Sequence, residues 1–147
     1  MPSHDKKMPF LESVRITYVA LWPLFAVFIA YQLLIKSGLY EIYSDLDTPL
    51  HLLGAASVAW AVLVCLRYLR ERRRAPALPF WIAVSLAVGA TAIIGILWEG
   101  YEFLSNLWRE WPLPEVSDTI KDLINDLIGS FVFAVLAARV FLKGYKR

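Results

Sequence analysis

Seven ionisable residues gather at the ends of apolar stretches. Asp47 and His51 open one stretch, Glu99 and Glu102 close another, and Asp118, Asp122 and Asp126 lead into a third. The three aspartates stand at i, i+4 and i+8 and form a stripe on one helix; Glu99 and Glu102, at i and i+3, share a face of another. Six carboxylates at close quarters repel one another, because like charges within about 4–6 Å disfavour the ionised form. Lys121 and Arg109 are too few to offset them, which leaves bound metal or protonated acids. Carboxylates with one neutral imidazole suit hard or borderline divalent ions such as Mg²⁺, Mn²⁺, Ca²⁺ or Zn²⁺. The expected ligands are His51, Glu99, Asp122 and Asp126, with Glu102 and Asp118 assisting.

Simpler roles compete with this one. Asp118 is placed to cap a helix and to meet its positive end. Asp126 lies two turns further in, beyond the reach of the helix dipole, and an acid inside a membrane usually faces a site or a partner. Glu102 and Asp47 read as solvated charges at loop ends, with Asp47 ahead of its helix. Gly54, Gly95 and Gly129 read as positions where helices approach closely.

The elements that carry these residues follow from composition. Of 147 residues, 59% are hydrophobic and 19% charged, with 6 Trp, 7 Tyr and 8 Phe, against roughly 45–50% and about 25% in soluble domains. Such a chain is solvated partly by lipid, and the fold expected is an all-α bundle of four transmembrane helices forming one domain. The spans are placed at about 16–35, 48–66, 79–101 and 122–142, each near the ~20 residues that cross a hydrocarbon core. The first is expected to kink near Pro23. A net charge of +2 is too small to steer polyanions, which argues against nucleic acid as a partner. The single cysteine, Cys65, excludes an intrachain disulfide and a cysteine-based zinc site.

Basic residues set the orientation. Arg67, Arg70, Arg72, Arg73 and Arg74 crowd the connection between spans two and three, Lys143, Lys146 and Arg147 close the chain, and Lys6, Lys7 and Arg15 precede span one. All three groups, and both termini, are expected in the cytoplasm, which puts the acidic cluster on the other side. His51 stands 16 residues above Arg67, about 24 Å, and Asp126 stands 17 above Lys143, about 26 Å. Glu99 and Asp122, at 20 and 21 residues, reach about 30 and 32 Å. Three helices thus present polar groups at one level near the outer boundary.

Trp98-Glu99 followed by Glu102, then Asp118-Thr119, Asp122-Leu123, Asp126 and Gly129, resemble the motif region of the YjdF-type family of small bacterial inner-membrane proteins. A weaker similarity, in size and acidic pattern, is to VanZ-like membrane proteins. The resemblance implies a multi-pass protein of the bacterial cytoplasmic membrane and assigns no activity.

The sequence supports an acidic, metal-binding pocket acting on a lipid headgroup or a small phosphorylated ligand, with membrane lipid as the surrounding partner and the oligomeric state open. The alternatives are a proton-coupled transport module and a structural subunit that receives a partner's basic residue. The orientation is checked by a reporter fused after Arg147: cytoplasmic activity is expected, and an external reporter would invert the topology and move the acidic pocket inside.

Overall fold

The computed structural model describes residues 8–72, 76 and 78–143. Lys6, Lys7, Arg73, Arg74, Lys146 and Arg147 lie outside the described residues, as does the side chain of Lys143. The elements are α1 (Met8–Lys36), α2 (Leu39–Ile42), a 3₁₀ turn (Ser44–Leu46), α3 (Asp47–Glu71), α4 (Phe80–Trp108) and α5 (Val116–Lys143). No strand occurs among the described residues. Four helices are long and apolar enough to cross a membrane, at Glu12–Lys36, Asp47–Glu71, Phe80–Trp108 and Val116–Phe141.

Large apolar side chains such as Ile96, Leu97, Leu136 and Val140 face outward, while the interior between α3, α4 and α5 is built from small residues. Ala59, Ala83, Ala87, Ala134 and Ala138 are fully buried around Leu63 and Val84. Lipid tails are as apolar as leucine, so association in a bilayer depends on close backbone packing, which small side chains allow. Gly129 is the tightest case. A Cβ there would lie 2.7 Å from the Leu52 carbonyl oxygen and 3.0 Å from the Leu52 Cα. Gly54 is looser, its nearest neighbour being Val27 Cγ1 at 4.0 Å. Between α4 and α5 the hydroxyl of Thr91, also 3.0 Å from the Ala87 carbonyl of its own helix, meets that of Ser130 at 3.0 Å, a polar contact across the helix interface.

α1 packs along α3 and remains helical through Pro23. Proline has no N–H, so the carbonyl four residues earlier, on Val19, loses its helical donor. The indole Nε1 of Trp60 on α3 donates to that carbonyl at 2.8 Å, so the backbone break becomes a contact between helices. At the opposite end of the bundle from the acidic cluster, Arg72 pairs with Glu12.

The connections hold more structure than the sequence suggests. The segment after Lys36 is not a plain loop: Gly38, at φ 72°, turns the chain into α2, and the 3₁₀ turn leads straight into α3. Asp47 is consequently the first residue of α3 rather than a loop residue before it. Pro49 fits because the first-turn N–H groups need no helical partner. α4 continues past Tyr101 to Trp108, where Glu110 takes a left-handed conformation at φ 57°. The Trp111 N–H then bonds the Asn106 carbonyl at 2.9 Å and the Glu110 N–H that of Leu107 at 3.4 Å, closing the helix end.

The packing predicts that Gly129→Ala lowers stability by about 1–3 kcal/mol through overpacking, whereas Gly89→Ala, with nothing within 4 Å of its Cβ, leaves it unchanged or higher. Thermal unfolding in detergent checks this; equal melting temperatures for the two variants would contradict the close approach of α3 and α5.

Candidate metal centre

His51 sits one turn into α3, where three helices converge. Its Nδ1 lies 3.1 Å from Asp126 Oδ1 on α5. Its Nε2 faces three other carboxylates: Asp47 Oδ1 at 3.6 Å, Glu99 Oε1 at 3.9 Å and Asp122 Oδ2 at 4.0 Å. All five side chains are buried, with residue exposures of 3–8%.

The two ring nitrogens have different surroundings, and this decides their roles. Nδ1 is held by one carboxylate at hydrogen-bond distance, which fixes a proton there and orients the ring. Nε2 has carboxylate oxygens around it, all too far for a hydrogen bond. Such spacing is wide for direct contact and close to what donor atoms adopt around an ion at about 2.0–2.2 Å from each. One oxygen from each of Asp47 and Asp122 lies with a His51 nitrogen inside 4.8 Å, and the same holds for His51, Glu99 and Glu102. A carboxylate behind the ring and donors in front of it is the usual arrangement of a metal-binding histidine.

Two of the oxygens lack a hydrogen bond. Glu99 Oε1 and Asp122 Oδ1 are buried without a hydrogen-bond partner, and the nearest cation to the latter is Lys121 Nζ at 3.5 Å. An unsatisfied buried carboxylate oxygen costs more than an ordinary lost hydrogen bond, and Glu99 Oε1, beside His51 Nε2, is placed where a cation could complete it.

The surrounding groups position rather than neutralise. The Tyr40 hydroxyl, delivered by α2, donates to Asp47 Oδ1 at 2.5 Å; burial first, and then this bond, holds its pKa above the usual phenol range. The Tyr31 hydroxyl donates to Glu102 Oε1 at 2.8 Å. Lys121 Nζ contacts Asp118 Oδ1 at 2.6 Å and Asp47 Oδ2 at 3.4 Å. Gly95 clears room for the site, because a Cβ there would lie 2.5 Å from Asp126 Oδ2.

Of the residues expected from sequence, His51, Glu99, Asp122 and Asp126 come together, and Glu102 stands beside them. Asp118 does not. Its carboxylate is 52% exposed and paired with Lys121, as suits a residue in the first turn of α5. Asp126 sits behind the imidazole rather than among the carboxylates at Nε2. Asp47 is buried and faces Nε2, so it belongs to the site and is no solvated loop charge. Its i, i+4 spacing to His51 was the available signal, masked by starting the helix one residue late. Arg109 lies over the Trp111 ring at 4.9 Å, and Arg139 over Phe80 at 5.6 Å.

No curated protein and no solved structure matches the chain. The family profile described as "Predicted membrane protein (DUF2238)" matches residues 10–143. That span takes in all four long helices and every residue of the His51 cluster, and the chain belongs to this DUF2238 family of predicted membrane proteins.

Proposed function

We propose that the protein is a metal-binding membrane protein whose buried centre holds one divalent cation at His51 Nε2, drawing on the two carboxylate pairs that share this histidine, Asp47 with Asp122 and Glu99 with Glu102. The observation that carries this reading is the ring of buried carboxylate oxygens 3.6–4.0 Å from His51 Nε2, one of them, Glu99 Oε1, without a hydrogen-bond partner, around an imidazole whose Nδ1 is held by Asp126. The site sits at the end of its helices opposite the arginine-rich connection, and the positive-inside rule supports an extracytoplasmic position for it. The resemblance of the Glu99–Gly129 motif region to the YjdF-type family supports the same location.

A divalent cation supplies Lewis acidity and a binding point for phosphate oxygens. The ligand class proposed is therefore a phosphorylated headgroup. The chain's own residues orient and hold: Asp126 keeps a proton on Nδ1, and Tyr40 and Tyr31 fix two carboxylates. A proton-coupled transport module would need titratable groups leading away from Asp126. The buried polar residues below it, among the described ones, are the hydroxyls of Thr91, Ser130 and Ser57, and no acid continues the path.

The test is thermal unfolding of chelator-stripped, detergent-purified protein with and without Mn²⁺ or Zn²⁺. A ligand at a hundred times its Kd stabilises by about 2.7 kcal/mol, a readily measured rise in Tm. Glu99→Gln and Asp122→Asn are expected to remove most of that rise, and Asp118→Asn to keep it. Asp126→Asn, acting through the imidazole, should weaken the metal by roughly 10–100-fold. In the stripped protein Asp122→Asn should be neutral or stabilising, because it relieves like-charge crowding. Absence of any metal-dependent rise, with no metal retained on elemental analysis, would overturn the proposal.

A further inference from the structure

Directly below the His51 cluster is a cavity of about 270 Å³. Its walls are Leu24, Phe25 and Phe28 of α1, Val58 of α3 and Ile94 of α4, and its upper end is formed by Tyr31, Asp47, His51 and Asp126. From the level of Asp47 to that of Val58 it follows 11 residues of α3, about 16 Å. It exceeds the ~150 Å³ that suffices to hold a benzene molecule in an apolar protein interior.

The cavity exists because of how α1 is attached. α1 packs on α3 and reaches α4 near the top through aromatic edges, with Phe28 and Tyr31 against Trp98 at 6.2 and 5.0 Å and the Tyr31–Glu102 hydrogen bond above them. These contacts roof the space. Below the roof α1 and α4 stand apart, and Phe25 and Ile94, 62% and 43% exposed, flank a sideways opening at membrane depth. A ligand entering there comes from the bilayer rather than from water, and it must be apolar along its length and polar at one end.

We propose that this cavity receives an acyl chain of a membrane lipid whose phosphate-bearing headgroup is drawn to the His51 centre. The inference rests on the metal reading of that centre for the headgroup, while the chain site rests on the cavity alone. The carboxylates crowded around His51 repel an anionic headgroup in the absence of a cation, so binding of headgroup and cation is cooperative. A second transmembrane helix docking in the same opening would be too wide at ~10 Å with its side chains, and it would leave the polar end unused.

The test uses protein reconstituted in phosphatidylcholine vesicles that contain a minor fraction of phosphatidic acid with a diazirine near the end of one acyl chain. After illumination, adducts are mapped by mass spectrometry. Adducts on Ala55 and Val58, 2% and 7% exposed, report the cavity; those on Leu97 and Leu136, 64% and 70% exposed, report bulk lipid. With Mn²⁺ present the cavity adducts are expected to form, and Ile94→Trp, which fills the space without touching the cluster, should lower them about tenfold or more. Adducts at Leu97 and Leu136 and the Mn²⁺-dependent rise in Tm should persist in that variant, which shows that it folds; Leu24→Trp repeats the block from the opposite wall. No adducts at Ala55 and Val58, or adducts unaffected by either tryptophan, would overturn the chain site even if Mn²⁺ binds. Cavity adducts that are equally strong after chelation would leave the chain site standing and overturn the cation-held headgroup.

Discussion

Five carboxylates, on Asp47, Glu99, Glu102, Asp122 and Asp126, surround one imidazole near one end of a helical bundle, and among the described residues Lys121 is the one basic side chain with an ion pair to any of them. Away from bulk water, such like-charge crowding is expensive unless a cation or a proton relieves it. The rest of the site is organised around that constraint. His51 is fixed from behind by Asp126, so that its free nitrogen meets the crowd, and Tyr40 and Tyr31 each tie one carboxylate in place. Lys121 touches the outer rim, where its half-exposed ammonium is screened and offsets little.

The bundle can hold these groups because its helices approach closely lower down. The alanine-lined interface of α3, α4 and α5 and the contact of Gly129 with the Leu52 backbone fix the spacing, and Gly95 leaves the volume that the Asp126 carboxylate occupies. α1 is attached differently. It leans on α3, anchored by the Trp60 bond to the carbonyl that Pro23 leaves free, and stands off α4 below the aromatic roof. Packing economy on one side of α3 and a gap on the other together place an apolar space directly under a polar centre.

Much of this was legible in the residues. Hydropathy marks four spans, and the common height of His51, Glu99, Asp122 and Asp126 follows from counting along helices. Helical spacing alone misplaced Asp118. Each i+4 step turns the side chain by about 40°, so Asp118 is rotated about 80° from Asp126 and stands about 12 Å higher, which carries it out of the cluster to the exposed rim. Asp47 was misread for a different reason: Thr48-Pro49 looks like a cap followed by a first-turn proline, and nothing local announces that a 3₁₀ turn supplies the helix start one residue earlier. The tyrosines gave no signal, since an aromatic near a membrane boundary is ordinarily an interface anchor. The cavity has none either, because it depends on which helices fail to pack together.

Everything proposed for the site depends on His51 offering Nε2 to a cation. Pulsed electron paramagnetic resonance of the Mn²⁺-loaded protein tests it directly, because a coordinated imidazole couples its nitrogen to the metal electrons. The sequence has 2 histidines, His4 and His51, so His4→Ala isolates the signal. A directly bound nitrogen that survives His4→Ala and disappears in His51→Gln is expected. Mn²⁺ bound with oxygen ligands alone, or a nitrogen signal untouched by His51→Gln, would contradict it.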